Sequence, residues 1–162
     1  MGEAARPAVE QDLPALAELR ATCLAELETK RGGTLLAGEL ASTAGPDPLA
    51  AAVADPAQGL FVGVLSDVAV GYARASCQPL AGGRLLGVLD ELFVEPAARG
   101  VGVGEALAAA VVGWLDQKGC LGVDTRALPG DRATKNFLEG AGFSARLLVM
   151  HRALPGPRGR PS

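Results

Sequence analysis

Between Asp12 and Lys30 the apolar residues Leu13, Leu16, Leu19, Cys23, Leu24 and Leu27 recur every three or four positions, which predicts a helix burying one face. Asp12 stands where an N-cap belongs, and Gly32-Gly33 closes the helix. Pro7-Ala8-Val9 ahead of it reads as a short initial strand, and residues 42–58 mix turn formers with an Ala-rich patch that predicts one short helix. From Gly59 the periodicity changes. LFVGVL and VAVGYARA are two strand-like runs joined at Ser66-Asp67, a hairpin signal because Asp tolerates turn geometry. A third run, Leu85 to Val94, stops before Pro96, which has no N–H to give a ladder.

A glycine-rich turn follows, and Gly104 to Lys118 predicts a helix with Leu107, Val111, Trp114 and Leu115 on its apolar side and Gly119 at its C-terminal end. Cys120 to Arg126 then reads as a strand, Asp131 to Glu139 as a short helix, and Phe143 to His151 as a last strand. The expected order is β-α-α-β-β-β-α-β-α-β. Antiparallel hairpins followed by a β-α-β unit mean an α/β (α+β) domain with a mixed, mostly antiparallel sheet flanked by helices.

Composition narrows the options. The 162 residues are 49% hydrophobic and 20% charged, enough apolar surface for one core, so residues 1–154 are expected to form one domain, with a Pro/Gly/Arg tail at 155–162. Aromatics make up 4% and the net charge is −3, with no basic stripe on any predicted helix; nucleic acid is not the expected partner. The longest apolar stretch, Ala106 to Leu115, is too short to span a bilayer, and Arg6 stands where N-myristoylation needs Ser or Thr, so a cytoplasmic protein with no membrane partner is expected. Cys23, Cys77 and Cys120 have neither paired spacing nor a His neighbour. Reduced, buried thiols are expected, with no metal.

The candidate chemistry gathers around Arg99-Gly100-Val101-Gly102-Val103-Gly104. Alternating glycines between a strand and a helix let backbone N–H groups converge without Cβ atoms in the way, a cradle for a diphosphate, with Arg99 adding positive charge and Glu105 facing the helix dipole. A dinucleotide fingerprint registered on Gly102 and Gly104 needs Gly or Ala where Leu107 stands, and no Gly-Lys-Ser/Thr follows for a Walker loop.

The stretch L-D-E-L-F-V-E-P-A-A-R-G-V-G-V-G-E-A-L, Leu89 to Leu107, resembles the central motif of the GCN5-related N-acetyltransferase (GNAT) family, whose pattern Arg/Gln-x-x-Gly-x-Gly/Ala is met by Arg99, Gly102 and Gly104. DRATKNFLEGAGF, residues 131–143, resembles the family's closing helix and Gly-Phe segment. The likeness covers roughly 59–152. It implies an acyl-CoA-dependent N-acyltransferase: acetyl-CoA as cosubstrate, its pantetheine arm paired with the backbone of Leu92, Phe93 and Val94, its pyrophosphate on the amides of Arg99 to Glu105. Direct attack of a primary amine of a small molecule or peptide is implied, through a tetrahedral intermediate held by a backbone N–H.

The amine needs a base, and Asp90 and Glu91 are the candidates. Strand alternation puts them on opposite faces, so without a bulge at most one reaches the acceptor. The resemblance favours Asp90. The family's tyrosine acid corresponds to Leu138, a departure that leaves a non-catalytic acyl-CoA sensor or degenerate subunit as the alternative. The family's Asn maps to Asp131, and Asn136 is a further pantetheine contact. Tyr72 is expected near the acceptor cleft or packed with a bonded hydroxyl, and His151 is expected to be structural. An excess of acids (Glu26, Glu28, Glu39 and Asp67) favours a cationic amine acceptor. Family habit and the edge left by the last strand suggest a homodimer.

Overall fold

The computed structural model describes residues 2–42 and 47–156. Its sheet has five strands in sequential order: β1 (Glu3–Pro7), β2 (Gln58–Leu65), β3 (Val68–Pro79), β4 (Leu85–Val94) and β5 (Val123–Asp124). The first four pair antiparallel, and β5 joins β4 in parallel. The mixed, mostly antiparallel sheet is therefore as expected. Ser66 and Asp67 both take positive φ (49° and 65°), the backbone of a tight hairpin turn whose twist matches its strands.

Helix α1 (Leu13–Glu28) and α3 (Pro48–Ala54) lie on one face of the sheet, where Leu16, Leu19, Cys23 and Leu49 pack with Val62, Tyr72 and Phe93. Helix α4 (Val103–Gln117) covers the other face with Val103, Leu107, Val111 and Leu115. It comes close because Gly63 and Gly71 face each other across β2 and β3: a Cβ on Gly63 would lie 2.7 Å from Val103 Cγ1, and one on Gly71 3.3 Å from Leu107 Cδ1. Helix α5 (Arg132–Gly140) follows β5.

Several expectations are corrected. An unforeseen helix, α2 (Gly33–Ala41), makes the order helix-helix-helix before β2: Gly32, at φ 78°, turns the chain, and Gly33 already begins the next helix. The initial strand lies earlier than 7–9, at Glu3–Pro7; Asp12 holds the N-cap position of α1 as expected, but its carboxylate accepts from the Val9 N–H (2.8 Å) instead of from the helix and pairs with Arg6, tying the preceding turn to β1. The strand at 120–126 shrinks to two residues. The last strand is absent: residues 143–151 pair with no strand among the described residues, and Leu147 to Met150 stand 72–86% exposed. Residues 157–162 of the expected tail lie outside the described residues.

Candidate active site

Strand β4 is held differently at its two ends. At Gly87 and Val88 it is paired with β5 as well as β3, and Thr125 Oγ1 still donates to the Leu89 carbonyl at 3.0 Å. Beyond Leu89 the parallel strands part. A cavity of about 600 Å³ opens there, lined by Leu92, Phe93 and Val94 on one side and by 125–128 and α5 on the other.

The register of β3 against β4 contains the feature that sequence alternation could not supply. Arg74 lies opposite Glu91 and Ala75 opposite Leu89, so Asp90 is an extra residue without a partner, a β-bulge. The bulge shifts the alternation by one. Leu89 packs under α4, yet Glu91 two positions on reaches the α1 face, and Asp90 and Glu91 both line the cavity.

Their environments differ sharply. The Glu91 side chain is fully buried and saturated with donors: Arg20 Nε (2.9 Å) from α1, Tyr72 Oη (2.9 Å) and Arg74 Nε from β3. Two guanidinium groups offset the cost of burying its charge. Tyr72 thus has the bonded-hydroxyl role, and burial holds that hydroxyl well above its ordinary range. Asp90 is half-buried and accepts one hydrogen bond, from Ser76 Oγ at 2.8 Å. Burial pushes its carboxyl up, against the pull of Ser76 and of the Arg74 charge.

At the far end of the cavity, Gly100 and Gly102 take φ 82° and 99°, a left-handed backbone that side chains resist, and Gly102 is the N-cap of α4. The first amides of a helix have no intrahelical acceptor, so those from Val103 onward point outward at the positive end of a fifteen-residue dipole. Around Gly100 a Cβ would meet open space, whereas Gly104 is where α5 comes close, Phe137 Cε2 lying 3.1 Å from an added Cβ. Arg99 stands at the edge with its guanidinium engaged: Nε donates to the Val94 carbonyl (2.7 Å), Nη2 pairs with Glu26 (3.0 Å), and the group lies over the Phe93 ring.

The other named residues divide. Asp131 caps α5, accepting from the Thr134 N–H (3.2 Å) and hydroxyl (2.8 Å), and pairs with Lys30 (2.9 Å); burial raises its carboxyl, but Lys30 and Thr134 outweigh that and leave it low. Asn136 and Leu138 line the cavity, as does Cys23. His151 lies exposed in the irregular C-terminal segment, away from the strand expected for it. Two of the four acids read as an acceptor signature are held in ion pairs: Glu26 with Arg99 and Lys30, and Glu39 with Arg126. What the sequence did not announce is the pair of arginines around Glu91, the partly buried Arg20 on a helix and the buried Arg74 on a strand, with no local pattern to mark them.

A slot between parting parallel strands, closed at one end by a glycine-built helix N-terminus and lined by a bulged carboxylate pair, fits an extended ligand that carries a diphosphate. The Acetyltransferase (GNAT) family model matches residues 16–143, and the chain belongs to that family, whose cosubstrate is acetyl-CoA. Solved structures agree in fold. A mutant of the BH1408 protein from Bacillus halodurans superposes with a TM-score of 0.78 at 20% identity, over 93% of this chain and 98% of that one. The aminoglycoside N-acetyltransferase AAC(6')-Iy, in complex with CoA, gives 0.68 at 22% identity over 93% and 98%. The aminoglycoside acetyltransferase meta-AAC0020, from an uncultured soil metagenomic sample and in complex with trehalose, gives 0.71 at 21% over 94% and 95%. No curated protein matches the chain.

Proposed function

We propose that the protein transfers an acetyl group from acetyl-CoA to a primary amine of a small molecule or peptide by direct attack, with Asp90 as the base. The bulge at Asp90 carries this reading, because it sets a carboxylate with one hydrogen bond and a raised pKa on the wall of the slot. Glu91, whose oxygens are already engaged by three donors, holds the strand and the charge balance. The amides of Val103 to Glu105 would hold the pyrophosphate, with Gly100, Val101 and Gly102 giving room for it; the edge of Leu92 to Val94 that β5 leaves unpaired would meet the pantetheine arm, with the Val94 carbonyl already taken by Arg99, and Asn136 would meet the arm from α5. Asp131 is engaged as a cap and shapes the slot from there.

Glu26, Glu91 and Asp131 on the cavity wall are all held in ion pairs, and Glu105 stands in the first turn of α4 beside the glycine turn. That leaves Asp90, bonded only to a serine hydroxyl, as the acid that would attract a cationic amine beside the parting strands. Aminoglycoside acetyltransferases share the fold, and a polyamine, aminoglycoside or peptide N-terminus is the acceptor class this favours. The second reading, a CoA-binding sensor without turnover, is favoured by Leu138, whose aliphatic side chain lines the cavity where the family often has a tyrosine acid.

The test is calorimetric titration with acetyl-CoA followed by an amine library monitored for free thiol. Binding with turnover supports the enzyme; binding without turnover on any amine transfers the assignment to the sensor. Absence of binding would remove both. The exposed apolar run Leu147 to Met150 supports a homodimer in which this segment pairs with a second copy. A monomeric mass by light scattering would count against it.

A further inference from the structure

Cys77 and Cys120 are 43 residues apart, and nothing in their spacing links them, yet their Sγ atoms lie 3.8 Å apart. Cys77 sits near the end of β3, opposite Gly87 of β4. On the other side of β4, Gly87 N–H donates to the Gly122 carbonyl and Leu121 N–H to the Leu85 carbonyl, bringing the α4-β5 connection and Cys120 alongside. Gly87 has no side chain to stand between them: the space a Cβ would take is filled by Leu115, with Cδ1 2.7 Å away. Both thiols pack against the α4-side core and are only partly buried. The third, Cys23, is buried in the core layer on the opposite face of the sheet.

We infer that Cys77 and Cys120 are a dithiol pair that closes to a reversible intramolecular disulfide, a modification site remote from the slot. The sulfurs must approach from 3.8 Å to about 2.0 Å. Cys120 can supply that movement, because it lies in an irregular connection between Gly119 and the two-residue strand β5. Closure needs an oxidant, and a low-molecular-weight disulfide of the glutathione class balances it. One cysteine thiolate attacks that disulfide, forming a mixed disulfide and releasing one thiol. The second cysteine thiolate then displaces the other thiol, so the protein loses two protons and two electrons and the reagent leaves as two thiols. Burial raises the Cys120 thiol, so closure speeds up as pH rises. The bond would tie β3 to the end of α4 across a long loop, constraining the unfolded chain.

The test is equilibration of the reduced protein with graded ratios of oxidised to reduced glutathione, followed by acid quench, intact mass, peptide mapping and thermal melts. The expected product has lost two hydrogens, yields a Cys77–Cys120 cross-linked peptide, leaves Cys23 free for alkylation after unfolding, and melts about 5–10 °C higher. Cys77→Ser and Cys120→Ser, each close in size to the original, should both abolish closure and the shift. A stable glutathione adduct without ring closure, a cross-link through Cys23, or no modification at the most oxidising ratio would each overturn the pair. None of these readouts depends on whether the slot transfers acetyl groups.

Discussion

The two halves of β4 are built from similar apolar residues and serve opposite ends. From Leu85 to Leu89 the strand has neighbours on both edges, and Leu89 is 2% exposed in the α4-side core. From Asp90 to Val94 it keeps β3 but not β5, and the freed edge faces a cavity. The seam between them is one extra residue. Inserting Asp90 turns the following side chains over, so a strand that begins as core ends as the wall of a site.

The comparison breaks most sharply at the seam itself. Asp90→Asn keeps shape and the Ser76 contact but removes the base; we expect kcat to fall about 10²–10⁴-fold with the melting temperature nearly unchanged. A variant with wild-type turnover would move the chemistry elsewhere. One residue further on, Glu91→Gln leaves the buried Arg74 and the partly buried Arg20 without a counter-charge, for an expected loss of about 3–5 kcal/mol in urea unfolding. In the structural half, Leu89→Ala should cost about 2–5 kcal/mol of stability while acetyl-CoA affinity holds, since Leu89 belongs to the core and its main chain is kept by Thr125. At the far end of the slot, Gly102→Val forces a side chain into φ 99°, costing about 1–2 kcal/mol and weakening acetyl-CoA binding about tenfold by calorimetry. Unchanged affinity there would separate the glycine turn from the cofactor.

The smallest effect is in pH. Burial raises the Asp90 carboxyl, so acetyl transfer should rise with pH as that group loses its proton. Stability runs the other way. The folded state holds this proton more tightly than the unfolded chain, so the contribution is present below the unfolded value of about 3.9 and is lost as pH climbs through the raised folded value. Asp90→Asn should flatten both dependences, measured as rate and unfolding profiles against wild type.

How much of this was legible follows the range of the interactions. The hairpin, the end of β4, helix α4 and the glycine turn rest on neighbours in sequence, and their residue patterns announce them. Helix α2 was hidden because Gly32-Gly33 reads as a stop, and a stop says nothing about what restarts beyond it. The apolar run within 143–151 has strand chemistry but no ladder among the described residues, so its pattern promised pairing that the fold does not supply. The bulge, the Arg20–Glu91–Arg74 cluster and the cysteine contact join residues 14 to 71 positions apart, and no local spacing encodes them.

The Glu91 cluster also bears on the order in which the molecule assembles. Arg74 meets Glu91 across the β3–β4 hairpin, 17 residues away, while Arg20 must arrive on α1 from 71 residues away. The near pair is already neutral, so the hairpin can bury its carboxylate before the helix docks, and the second guanidinium is added when loop closure is most costly. Pulse-labelled hydrogen exchange should then find β3 and β4 amides protected ahead of those of α1, and Arg20→Met should speed unfolding while leaving the refolding rate close to wild type.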